Sequence, residues 1–182
     1  MSMRLFLVRH FAPTVAEGIC YGRTDLAVNR TEHDDKLPAL RPLLPRGVPL
    51  YSSPLRRCAQ LAGSLGGAVC FDARLAELNF GNWEMRRWDD IARGEIDAWA
   101  ADLVNYRPGG GDSVLDMALR VDDFYQELRR DIGGDAIVVC HAGTIRLLAA
   151  CQRGLAPLAM AQEAAARAHS IAYGEVLVLD CV

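Results

Sequence analysis

Apolar and polar positions alternate along this chain in two ways, as short unbroken apolar runs and as longer stretches with helical spacing. Leu5-Phe6-Leu7-Val8 lies between Arg4 and Arg9. Four apolar residues in a row are too few for a helix and are typical of a strand buried on both faces. Ala136-Ile137-Val138-Val139-Cys140 has the same build. Val48 to Ser52 and Ala68 to Phe71 read as further strands, and Ile171 to Tyr173 with Val176 to Leu179, joined at Gly174-Glu175, read as a closing hairpin.

Helical spacing follows Ser52-Ser53-Pro54, with Ser53 as N-cap and Pro54 as first helical residue. Leu55, Cys58, Ala59, Ala62 and Leu65 then form a core-facing stripe, with Arg56 and Arg57 on either side of it. Arg30 to Leu44 has helical composition but is interrupted by Pro38 and Pro42, which predicts a broken or short helix. Ser113 and Asp116 resemble a capping box opening a helix to about Ile132, along which Val114, Met117, Val121, Phe124 and Leu128 repeat. Further helices are predicted from Gly143-Thr144 through Cys151 and over Ala156 to Ala168. Trp83, Trp88 and Trp99 read as core anchors of a helical excursion from about Arg86 to Ala101, and Pro108 to Gly111 as a flexible breaker. The pattern predicts an α/β fold: a three-layer, mostly parallel central sheet with helices on both faces and one antiparallel hairpin at an edge. No repeat or linker divides residues 1–182, so a single domain is expected.

Two of the four histidines cap predicted buried strands, His10 after Arg9 and His141 before Ala142-Gly143. In an open α/β sheet, ligands bind beyond the carboxyl ends of the strands. Neighbouring parallel strands would bring the two imidazoles to one edge. The helix predicted after His141 would place free backbone N–H groups beside it, a natural anion site. Phe11 to Asp25 shows no period and is a long loop, a length that in a small domain is usually functional. Glu77, in a stretch with aromatics and a glycine, reads either as a desolvated carboxyl kept protonated as a general acid or as a surface glutamate before a turn.

Composition narrows the function classes. A net charge of −3 does not supply the broad basic field that a nucleic-acid backbone requires. The basic residues are almost all arginine, Lys36 being the only lysine. The six cysteines show no zinc-ligand or redox-motif spacing and read as small buried residues in a reducing compartment. No stretch is long enough to signal secretion or span a membrane, so a cytoplasmic protein is expected. Acidic or further histidine ligands near His10 and His141 are lacking, so no metal and no cofactor is expected.

Taken together, Leu7-Val8-Arg9-His10, Ser52-Ser53-Pro54-Leu55-Arg56-Arg57, Glu77 with the segment to Glu84, Gly110-Gly111-Asp112-Ser113 and His141-Ala142-Gly143 resemble the histidine phosphatase (phosphoglycerate mutase-like) superfamily over nearly the whole chain. The resemblance implies that His10 takes the phosphoryl group, that Arg9 and Arg57 clamp its oxygens with His141 and Gly143 completing the pocket, and that Glu77 protonates the leaving group. The choice of Arg57 over Arg56 rests on that match alone. Phe11-Ala12 departs from the Gly-Glu that usually follows the family's Arg-His and is expected to set a bulky side chain beside the phosphate. The loop Gly18 to Asp25 looks most like α-ribazole phosphatase-type members, which act in cobalamin assembly; Tyr21, Arg23 and Ser113 are then the expected substrate contacts. The expectation is a metal-independent phosphomonoester hydrolase acting on a small phosphorylated metabolite, with no nucleic-acid or membrane partner and a homodimer left open. The alternatives are a phosphoglycerate mutase and a catalytically silent phosphate-binding module. Mutases resemble a longer form with a tail over the site, whereas this chain runs out after its last strand, which favours hydrolysis.

Overall fold

Five strands form one sheet in the order β3-β2-β4-β1-β5. They are β1 (Met3–Arg9), β2 (Leu50–Ser52), β3 (Val69–Phe71), β4 (Ala136–Cys140) and β5 (Val176–Cys181) in a computed structural model that describes residues 3–181. β1 pairs in parallel with β4, β4 with β2, and β2 with β3; β5 alone runs antiparallel, against β1. The helices are α1 (Arg30–Leu40), α2 (Arg56–Leu65), α3 (Arg93–Ala101), α4 (Val114–Asp131), α5 (Ala142–Gln152) and α6 (Pro157–Ala166).

Side-chain alternation along the central strands divides the core into two layers. Leu5, Leu7, Val138 and Cys140 pack with α4, α5 and α6 on one face. Phe6, Val8, Ile137 and Val139 pack with α1 and α2 on the other. β1 and β4 are apolar at every central position because both faces are covered. The mixed α/β architecture with a mostly parallel sheet is therefore the one the apolar pattern predicts. A third cluster, around Trp83, Cys20 and Ile91, anchors the excursion between β3 and α4.

The helix expected to be short or broken over Arg30 to Leu44 is so: α1 continues through Pro38, where Leu37 packs and Leu40 is buried, and gives way at Arg41–Leu43, with Pro42, to a 3-10 turn. Three local expectations are corrected. α2 opens at Arg56 rather than Pro54, because Leu55 keeps extended φ/ψ and the Ser53 Oγ, 2.9 Å from His141 Nε2, reaches only the Leu55 N–H, at 3.4 Å. Its first-turn donor, the Arg56 N–H, is capped from a distance by Asp25 at 2.6 Å. Ile171 to Tyr173 is not a strand, so there is no closing hairpin; β5 pairs with β1 instead. Pro108 to Gly111 is not a loose breaker. Gly109 adopts φ 59° and lies so close to the Phe80 carbonyl that a Cβ there would sit 2.2 Å from its oxygen.

Candidate active site

The chain leaves β1 toward the α1–α2 face and β4 toward the α4–α6 face, so a crevice opens between the C-terminal ends of these adjacent strands. Arg9 lies opposite Cys140, which places His10 beside His141; their ring centroids are 5.0 Å apart, edge to face. Both imidazoles are buried at the floor of a cleft of about 590 Å³ that Arg9, Arg57, Glu77 and Gly143 also line.

His10 is held by its own neighbour. Its Nδ1 lies 2.6 Å from the Phe11 carbonyl, which can only accept, so Nδ1 carries the proton and Nε2 keeps its lone pair. Burial, reinforced by the charges of Arg57 and Arg9, pushes the pKa of His10 down to about 3, even against the Phe11 carbonyl. Burial first, and then His10 and Arg57, holds His141 well below the usual imidazole range. His141 Nε2 is 2.9 Å from the Ser53 Oγ. The Phe11 side chain turns away from the phosphoryl end into the α1–α2 core, where it meets His33 and Gly174, so the expected crowding does not occur.

Arg57 is completely buried, while Arg56 is exposed on the preceding position of α2. The Arg57 guanidinium is aimed by two carbonyls of the long loop, those of Thr24 at 2.8 Å and Gly22. Arg9 donates to the Ile171 carbonyl and lies 3.8 Å from the centroid of Tyr173. The Nε of each arginine is buried and has no hydrogen-bond partner among the described residues. Tyr21 reaches the cleft as expected, and its hydroxyl meets that of Tyr173 at 2.6 Å.

Glu77 is in the cleft and not on the surface. Its Oε1 accepts the Leu78 N–H at 3.0 Å and its Oε2 the Gly143 N–H at 3.2 Å. The Gly143 N–H is thus engaged by the acid and is not a free anion donor. A Cβ at 143 would lie 2.4 Å from Glu77 Oε1, so glycine there leaves the carboxyl room to hold this position.

Two expected substrate contacts fall outside the cleft lining. The Arg23 guanidinium pairs with Asp112 at 3.1 Å. Ser113 is the buried N-cap of α4, accepting from the Asp116 N–H while Asp116 accepts from its own, so the hydroxyl is committed to the helix start. Glu84 is also structural: it accepts N–H groups of Arg23 and Phe80 and staples the long loop to the acid segment. Trp88 both stacks on Trp99 and lines the cleft, so it is more than a core anchor.

Sequence reasoning missed Tyr173, Arg146, His169 and Arg120. The first three reach the cleft from α5 and from the strap between α6 and β5. Arg120 on α4 donates to the carbonyls of Arg74, Ala76 and Glu77 at 2.6, 2.5 and 3.1 Å and so fixes the backbone that carries the acid. No local signal marks these residues, since each acts through a contact with a segment distant in the chain.

Comparisons with known proteins give the family and the fold. The chain is 27% identical over 161 residues to "Putative phosphoserine phosphatase 2" of Hydrogenobacter thermophilus, covering 84% of this chain and 79% of that protein. Its fold matches mycobacterial glucosyl-3-phosphoglycerate phosphatase in complex with VO3 with a TM-score of 0.78 and 25% identity, over 97% of this chain and 92% of the other. TTHB049 of Thermus thermophilus shares the fold with a TM-score of 0.72 at 23% identity, over 97% and 93% of the two chains. The family profile of the histidine phosphatase superfamily (branch 1) spans residues 5–174, which takes in His10, His141, Arg9, Arg57 and Glu77, and the chain belongs to that superfamily.

Proposed function

We propose that the chain is a metal-independent phosphomonoester hydrolase that works through a phosphohistidine on His10. It belongs to a superfamily of phosphatases, enzymes that hydrolyse phosphate monoesters. The observation that carries the finer reading is the pair of neutral imidazoles meeting between the buried Arg57 and the half-buried Arg9, with one carboxyl across the cleft. A neutral His10 Nε2 is a nucleophile without a metal. As it attacks phosphorus, the P–O bond to the alcohol breaks and charge builds on the three equatorial oxygens. Arg9 and Arg57, each with a buried Nε–H lacking an acceptor, are placed to take that charge, and His141 completes the pocket. Glu77, protonated, gives its proton to the departing alkoxide. In the second half-reaction the same carboxylate takes a proton from water as that water attacks the phosphohistidine, which frees His10 and inorganic phosphate.

The substrate is a small phosphorylated metabolite. α-Ribazole 5′-phosphate is one candidate, from the resemblance of the loop around Tyr21. The position of Arg23 outside the cleft lining weakens that case. Phosphoserine, glucosyl-3-phosphoglycerate and 3-phosphoglycerate complete the panel. Rapid quenching with a phosphorylated substrate should leave acid-labile, base-stable phosphate on His10, His10→Ala should not turn over, and activity should survive EDTA. Label on another residue, or turnover by His10→Ala, would overturn the mechanism.

A further inference from the structure

Beyond the phosphoryl end, the cleft is built of different material. α5 leaves His141 and presents Ala142, Gly143, Arg146 and Leu147 to the cleft on one face. Arg146 stands four residues past Ala142, about 6 Å farther along the helix axis, one turn beyond the end of α5 that meets His141. Its Nη2 donates to the Arg167 carbonyl at 2.6 Å, which holds the guanidinium against the strap that carries His169 into the same cleft.

Arg146 makes no salt bridge among the described residues. Glu163 on α6 faces it but is paired with Arg153. The cleft therefore carries three guanidinium groups against the single carboxyl of Glu77. Two of the three serve one phosphoryl group, and the third is unmatched. The same cleft has an apolar wall that includes Leu78, Phe80, Trp88, Val114 and Met117. Pockets of this kind take an apolar body and orient it by a few placed polar groups.

We propose that Arg146, assisted by His169, is a second anion subsite, and that the substrate is a phosphomonoester of a ring-sized alcohol carrying a carboxylate or second phosphate at its far end. The inference rests on the phosphatase reading of the same cleft. Aryl phosphates test it directly, because 3- and 4-carboxyphenyl phosphate and their carbamoyl counterparts have similar shape and differ in charge. The carboxylates should be hydrolysed with about tenfold higher kcat/KM, equivalent to about 1.4 kcal/mol. That ratio should fall toward one in Arg146→Gln, be partly kept in Arg146→Lys, and shrink in wild type as salt is raised. Hydrolysis of both esters at equal rates by the wild type, or a tenfold ratio that survives Arg146→Gln, would overturn the subsite alone. Failure of the folded wild type to hydrolyse either ester would overturn the phosphatase reading and the subsite with it. If Arg146→Gln does not fold, the wild-type ratio and its salt dependence still decide.

Discussion

Glu77 and Glu84 lie in one short segment, and hydrogen bonds separate their roles. Glu84 is occupied with backbone donors of the long loop and of Phe80. Glu77 stands at the cleft beside Gly143. An alkoxide leaves poorly without a proton, and a positioned acid contributes about 10²–10⁴-fold for such esters. p-Nitrophenolate leaves well unaided. Glu77→Gln should therefore lower kcat/KM for alkyl phosphates by about that factor and for p-nitrophenyl phosphate far less, provided transfer to His10 limits the rate. Equal losses on the two substrates would mean that Glu77 positions the phosphate and is not the acid.

Individual elements show where a polar residue serves the fold and where it serves the cleft. Ser113 is an expected substrate contact, yet its capping box with Asp116 opens the longest helix, α4, whose residues Met117 and Val114 line the cleft. Loss of an N-cap of this kind costs about 1 kcal/mol. Ser113→Ala should lower the stability read from urea unfolding by that amount while kcat/KM on p-nitrophenyl phosphate holds. A large loss of activity with unchanged stability would return Ser113 to the substrate site. α2 shows the opposite trade: it gives up the Ser53 cap, which faces His141, and takes Asp25 as its cap from the loop. The same loop aims Arg57 through Thr24 and Gly22.

For the molecule as a whole, burying neutral imidazoles makes stability depend on pH. His10 is held near 3 in the folded chain, against about 6.5 when unfolded, so the unfolded state binds the extra proton. The stabilisation is complete above about pH 6.5 and is lost progressively as pH falls toward 3. Between pH 7 and 5 this linkage amounts to about 2 kcal/mol for one such histidine. Urea unfolding at the two pH values should thus show a loss in the wild type that exceeds the loss in His10→Gln by about that much. Equal losses would mean that His10 takes up its proton in the folded state.

Local patterning suffices for the sheet and its ends, because residues 5–8 and 136–140 are apolar at consecutive positions and only a strand covered on both faces buries all of them. It also suffices to place each of two histidines just past a buried strand and to open α4 at Ser113, while the pairing of those two strands is left to the sheet. Such features depend on residues a few positions apart. Long-range contacts, by contrast, settle which arginine of the 56–57 pair turns inward, which glutamate enters the cleft, and that Tyr173, His169 and Arg146 line its outer part. Those contacts span tens of residues to more than a hundred, such as Arg57 with the loop at 22–24 and Arg9 with Ile171. Their energies lie in burial and in satisfying buried carbonyls and N–H groups, and neither exists until the sheet has brought distant segments together.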